Sequence, residues 1–191
     1  MNIYMISDTH FYHNNIIEYC NRPFKNVEEM NQYMIDKWNN RVSKDDIVIH
    51  LGDVGFGSKE QVQNLCHQLN GTKILIKGNH DMRKGNQFWK DCGFELVYKN
   101  KQLDIDDVFK DIKEIRPDFN ESLDNIKKIM GVSKIIISHY PVAVNSDELN
   151  IHGHIHNTPL EQTNKDLVET MNHICISVEL IDYEPMILNE I

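Results

Sequence analysis

The sequence predicts an α/β fold, and three observations carry that prediction. Short apolar runs at Ile3–Ile6, Ile47–Leu51, Ile74–Ile76 and Ile135–Ile137 are bounded by polar residues or glycine, as strands buried on both faces are. Between them lie stretches whose apolar residues recur at helical spacing. The apolar runs end on carboxylates, a carboxamide or histidines, at the edge where open α/β sheets bind ligands.

The first strand, Ile3–Ile6, ends in Ser7-Asp8-Thr9-His10. Two residues apart, Asp8 and His10 share one face of an extended segment, as two ligands of one ion would. A short helix through Ile16, Ile17 and Tyr19 and a turn at Asn21-Arg22-Pro23-Phe24 follow. Asn26, with Glu29 three residues on, opens a helix whose Met30, Met34, Ile35 and Trp38 share one side, and the two methionines read as core packing. Asp45-Asp46 leads into the second strand, after which come Gly52 and Asp53. Ser58 and Gln61 form a capping box for a helix ending near Leu69, with Val62, Leu65 and Leu69 inward and Gly71 as its stop. That helix and the strands on either side make a unit that yields parallel neighbours.

The third strand runs into Gly78-Asn79-His80-Asp81. Gly78 allows a sharp turn and a close backbone approach. Taken alone, this stretch reads equally well as a polar turn with a capped helix behind it, Asp81 either capping that helix or orienting nearby groups of the site. Phe88, Trp89 and Cys92 mark another short helix, stopped by Gly93, before a strand over Phe94–Tyr98. From Lys101 to Gly131, two amphipathic helices meet at Arg116-Pro117. This is expected to be a helical insertion on the side of the domain rather than a lid. Ile135–Ile137 then ends in Ser138-His139, and in Ile151–His156 the histidines 152, 154 and 156 alternate, so an extended segment points all three the same way. Gly153 lets the backbone approach. Ile174–Leu188 reads as a closing hairpin.

At 191 residues the chain is expected to form one domain, residues 1–191, large enough to fold without disulfides. The net charge of −9 and the lack of a basic run argue against extended nucleic-acid binding. Four scattered cysteines without a Cys-x-x-Cys pair suggest reduced thiols. Neither a basic leader nor an apolar stretch of about eighteen residues is present, so the expectation is a cytoplasmic protein that does not contact membrane. The unusual feature is the placement of its ten histidines.

Five strand-to-loop junctions carry Asp8 and His10, Asp53, Asn79 and His80, His139, and the trio His152, His154 and His156. Packing has no use for so many ligand types at one sheet edge. In this order, Asp8-x-His10, Gly52-Asp53, Gly78-Asn79-His80-Asp81, Ser138-His139 and Gly153-His154-x-His156 resemble the motif set of the calcineurin-like metallophosphoesterases. The resemblance spans Asp8 to His156, and Asp8–Ile17 with Asn21–Phe24 is further similar to small bacterial and phage members.

The resemblance implies a two-layered β-sandwich flanked by helices and two divalent ions. Asp8, His10 and His156 would hold the first ion, Asn79, His139 and His154 the second, with Asp53 bridging. Oxygen and nitrogen donors without thiolate suit Mn²⁺, the favoured ion, or Fe, Ni²⁺ or Zn²⁺. Two such cations roughly 3.5–4 Å apart can hold a bridging hydroxide for in-line attack on a phosphate ester. His80 falls where the family keeps a histidine facing the phosphate, which gives it a catalytic role beside Asp53. Asn79 and His80 would contact substrate, and His13 and Arg22 are further phosphate-binding candidates, although solvent-facing or fold-stabilising roles suit both. His152 reads as packed or supporting, and His50 and His67 as structural. The expected activity is a phosphodiesterase acting on a small phosphate ester or nucleotide. The alternatives are a phosphomonoesterase, a nuclease, or a silent metal-binding scaffold.

Overall fold

The computed structural model describes residues 1–99, 101–120, 122–163 and 172–191. Two sheets form its centre. In the first, β1 (Ile3–Ile6), β2 (Ile47–His50), β3 (Thr72–Ile76) and β4 (Phe94–Tyr98) run parallel, and β9 (Met186–Ile187) pairs antiparallel with β1. In the second, β6 (Lys134–Ile137), β7 (Glu148–His152) and β8 (His173–Cys175) are parallel, with β5 (Leu103–Asp104) antiparallel at the edge.

Alternation along the strands divides the core in two. Ile3, Met5, Ile47, Ile49, Ile74 and Ile76 face the second sheet's Ile135, Ile137, Leu149 and Ile151. Tyr4, Ile6, Val48 and Leu75, on the other face, pack under α2 (Val27–Arg41) and α3 (Lys59–Cys66) through Met30, Met34, Trp38, Val62 and Leu65. Both faces of the first sheet are covered, which is why its strands read as unbroken apolar runs.

Local signals place the helices. Asn26 accepts from Glu29 N at 2.8 Å, and Ser58 and Gln61 make their reciprocal capping box. After a short α1 (Ile16–Tyr19) and the later α4 (Asn86–Asp91), the 101–131 segment supplies the expected pair, α5 (Ile105–Ile115) and α6 (Leu123–Met130), parted at Arg116-Pro117. These helices lie along the sandwich rather than over its mouth. Val108, Phe109, Ile112, Leu123 and Ile126 complete the inter-sheet core, so the segment is built into the domain through β5 and that core. Another short helix, α7 (Leu160–Thr163), follows β7. Among the described residues, no helix is long and apolar enough to cross a membrane.

One expected element is wrong. Residues 174–188 do not form a hairpin, because β8 belongs to the second sheet and β9 to the first. Between them the chain changes sheets, where Ser7 N donates to Ile176 O at 3.1 Å and Val178 N donates to Ser7 O at 3.1 Å. The two sheets are therefore stitched together at the carboxyl end of β1.

Candidate metal centre

The junctions that carry the predicted ligands come from both sheets, β1, β2 and β3 of one and β6 and β7 of the other, and not from one sheet edge as expected. The seam at Ser7 brings the two sets together. Beyond it the backbone is not extended. Asp8, His10, Asp53, His154 and His156 have φ of 59°, 49°, 58°, 70° and 53°, five of the nine non-glycine residues with positive φ among those described. Non-glycine residues visit this region rarely and at a cost, typically where function over-determines the backbone. The same-face argument for Asp8 and His10, and for the three alternating histidines, is thereby corrected: left-handed kinks, not strand periodicity, aim these side chains. His152 instead ends β7, buried, its Nδ1–H on Gly153 O at 2.9 Å and its ring 5.7 Å from that of His173.

Two glycines make room. A Cβ on Gly153 would collide with Ser7 Oγ and Asp8 Oδ2, and one on Gly78 with the Asp53 carboxylate. Close backbone approach is thus what both positions require.

Asp8 has one oxygen engaged and one free. Its Oδ2 accepts from His154 N at 2.8 Å and Ser177 Oγ at 2.7 Å. Its Oδ1 is buried without a partner, 3.9 Å from His10 Nε2 and 4.0 Å from His156 Nε2. Both ring nitrogens of His10 are also buried and unpartnered. Asp53 is similar: Oδ1 accepts from His80 N at 2.9 Å, while Oδ2 lies 3.5 Å from His139 Nε2, 3.7 Å from His10 Nε2 and 3.9 Å from His80 Nε2. Asp8, His10 and His156 form one group able to hold a cation, and Asp53, His139 and His154 a second.

Tautomers sharpen the fit. His139 Nδ1–H donates to Leu51 O at 2.8 Å, so a neutral ring turns a lone pair toward Asn79 Oδ1 at 2.9 Å. Two acceptors facing one another, beside buried polar atoms without partners, are unfavourable unless a cation lies among them. This donor set fits divalent metal ions. A third grouping, Cys20 with His156 and Glu179, has the Arg22 guanidinium 2.6 Å from Glu179, a fixed positive charge where a cation would have to sit.

Without metal the electrostatics favour ligand forms at Asp8, His10, His139 and His154 and oppose them at Asp53 and His156, whose protons a cation would have to displace. Burial pushes His10 well below its ordinary pKa and His154 down to about 4, while His139 is also lowered, chiefly by burial, leaving the neutral imidazoles that metals need. Burial would raise Asp8, but the surrounding histidines and Ser177 hold it well below the usual range. Asp53 goes the other way, to about 8, because burial and the charges of Asp81 and Asp8 all resist a second carboxylate. Burial opposes charge on His156 too, yet Cys20, Glu179 and Asp8 raise it to about 10.

Supporting residues surround these donors, and Glu179 among them carries no sequence motif. Glu179 Oε1 is 3.0 Å from His156 Nδ1 and also accepts from Arg22 Nε at 2.8 Å. Arg22 is buried, its other donors on Asp8 O at 2.8 Å and Thr9 O at 3.0 Å. It braces the loop beneath the ligands and presents no exposed donor to a phosphate, which corrects the substrate-binding assignment. Asp81 does not cap a helix with its side chain; it accepts from the backbone N–H groups of Asp53 at 2.6 Å, Gly78 at 2.8 Å and Val54 at 3.1 Å, tying two ligand loops together. His50 is structural, donating to Thr9 Oγ1 at 3.0 Å and accepting from Gly52 N at 3.0 Å, and His67 is exposed. His80 and His13 stand half-open at the mouth, their rings 5.6 Å from that of His10.

A family model, the calcineurin-like phosphoesterase superfamily domain, matches residues 1–171. The chain belongs to that superfamily. Calcineurin-like phosphoesterases hydrolyse phosphate esters with a dinuclear divalent metal centre, and the two donor groups around Asp53 are the corresponding feature here. An uncharacterized protein of Methanocaldococcus jannaschii, MJ1445, is 35% identical over 193 residues, covering 98% of this chain and 87% of that protein. The gene 66 protein of Mycobacterium phage L5 is 39% identical over 83 residues, 42% of this chain and 40% of its own. The crystal structure of AQ665, a protein of unknown function from Aquifex aeolicus, shares the fold at a TM-score of 0.66 and 25% identity, covering 99% of this chain and 96% of that one.

Proposed function

We propose that this calcineurin-like phosphoesterase is a phosphodiesterase of small phosphate esters, with Mn²⁺ as its favoured metal. The observation that supports this reading best is the position of Asp53 Oδ2, within 4 Å of His10, His80 and His139 at once. Asp8, His10 and His156 would hold one ion and Asn79, His139 and His154 the other, with Asp53 between the two donor groups. When bound, two such ions supply an activated water at neutral pH and positive charge facing the phosphoryl oxygens.

The chain's own residues do the rest. His80 keeps its backbone N–H on Asp53 and its ring at the open mouth, where it donates to a phosphoryl or leaving oxygen. Asn79, beside it, orients the phosphate. Buried His10 and His139 keep bulk water from the Asp53 side of the site. A proton donor placed like His80 contributes typically 10²–10⁴-fold.

The test is hydrolysis of bis(p-nitrophenyl) phosphate by metal-stripped protein reloaded with Mn²⁺. Turnover is expected to vanish in Asp53→Ala and to fall about 10²–10⁴-fold in His80→Ala. Undiminished turnover by pure Asp53→Ala protein would refute the mechanism. Faster cleavage of p-nitrophenyl phosphate than of the diester would make the enzyme a monoesterase.

A further inference from the structure

Two of the eight exposed large apolar side chains among the described residues, Phe56 and Tyr140, stand directly against the candidate ligand histidines. Phe56 is 39% exposed, yet its ring stacks on that of His10 at 5.5 Å and lies 4.6 Å from that of His80. Tyr140 is 38% exposed and meets the rings of His154 at 4.3 Å and His139 at 5.1 Å. One open aromatic face therefore borders each donor group. Shielding the histidines needs only the buried sides of these rings. The exposed faces stay open to a ligand at a site rimmed by polar groups.

Tyr140 also separates two cavities. One, of about 370 Å³, is lined by His154, His156 and Pro141. The other, of about 490 Å³, is lined by Asn79, Met82, Lys101, Gln102 and Val142. Both sizes are those of small-molecule sites. Both reach proposed metal ligands, so a phosphate held there would send its ester substituents into them. The larger cavity joins the face of Tyr140 and the 46%-exposed Met82 to a carboxamide on either side and an ammonium group. A planar, hydrogen-bonding ring with a sugar behind it matches that lining.

We propose that the substrate is a small nucleotide diester, its base stacked on Tyr140 in the cavity beside Asn79 and Lys101, with Phe56 walling the group across the phosphate. Long nucleic acid is the poorer match, because a net charge of −9 offers no extended track for a polyanion. This rests on the phosphodiesterase reading above and adds the chemical class of substrate to it.

The experiment compares two diesters that share a leaving group, thymidine 5′-(p-nitrophenyl phosphate) and methyl p-nitrophenyl phosphate, with Mn²⁺-loaded protein. Wild type is expected to favour the thymidine ester at least tenfold in kcat/KM, mainly through KM. Base–aromatic stacking is worth about tenfold or more, so Tyr140→Ala should bring that preference close to unity and Tyr140→Phe should keep it. No preference in wild type, or a preference unchanged in Tyr140→Ala, overturns the proposal. Should neither diester be cleaved, the phosphodiesterase reading fails and binding decides the stacking on Tyr140 separately. Calorimetry is then expected to show thymidine 5′-monophosphate binding at least tenfold more tightly than inorganic phosphate in wild type, with that gap lost in Tyr140→Ala. Equal affinities in wild type would refute it.

Discussion

Glu179 offers the sharpest test of how the centre is held. Its side chain is 4% exposed and that of Arg22 is fully buried, and the two meet at 2.6 Å. Glu179→Ala leaves the guanidinium with the carbonyls of Asp8 and Thr9 and the Met30 sulfur but no counter-charge, and breaking a buried pair from one side costs about 3–5 kcal/mol. At this chain length each 1 kcal/mol moves Tm by roughly 2–4 °C, so metal-free Glu179→Ala should melt about 10 °C lower. His156 loses its acceptor as well, and removing such a partner from a metal-ligating histidine typically weakens metal affinity about 10–100-fold. Glu179→Gln retains a carbonyl oxygen for His156 Nδ1–H while giving up the charge. It should therefore recover more of the Mn²⁺ affinity than of the stability. Scanning calorimetry in EDTA and Mn²⁺ titration by isothermal calorimetry separate the two effects. A Glu179→Ala protein that melts and binds Mn²⁺ like wild type would show that the pair neither braces nor orients anything.

Two further outcomes follow from the packing. Gly78→Ala pushes a methyl group into the Asp53 carboxylate, so it should destabilise by about 1–3 kcal/mol in urea melts and weaken Mn²⁺ binding; wild-type values for both would mean that the loop yields freely. Burial lowers the pKa of His50 to about 3 and of His152 to about 4, both below the unfolded value of 6.5. The unfolded chain takes up these protons first, so their contribution is complete above pH 6.5 and is lost as pH falls toward 4. Each should cost about 2 kcal/mol between pH 7 and pH 5 in metal-free protein. His152→Gln should lessen that acid sensitivity by the same amount, and identical urea-midpoint losses in variant and wild type would contradict this account.

Much of this was legible in the sequence because the signals are local. Asn26 and Ser58 lie beside the N–H groups they cap, Pro117 parts two amphipathic stretches, and runs such as Ile74–Ile76 announce strands buried on both faces. The junctions that carry the candidate ligands were legible for the same reason. How they converge was not, since period-two reasoning holds only for extended chain and Asp8, His10, His154 and His156 leave it. Ile174, Ile176 and Val178 alternate like one hairpin arm, although the chain passes between sheets just there, a choice fixed by distant partners such as Ser7. Glu179, and the partner it gives the already noticed Arg22, escaped for a related reason. A single charged residue in an apolar or turn segment carries no pattern until the fold sets it behind a histidine. The apolar periodicity of residues 101–131 gave the helices correctly but not their part in closing the core, which depends on β5 joining the second sheet.

The left-handed backbone at Asp8, His10, Asp53, His154 and His156 concentrates strain where the chemistry sits. An L-residue in that conformation gives up roughly 1–2 kcal/mol that glycine would keep. Glycine at Asp8 or Asp53 would recover that strain only by abandoning the hydrogen bonds these carboxylates accept from His154 N, Ser177 Oγ and His80 N, so such replacements should cost activity and gain little heat resistance. Thermostabilising this scaffold without erasing its activity means working elsewhere, on surfaces and helix ends, and leaving the kinks alone.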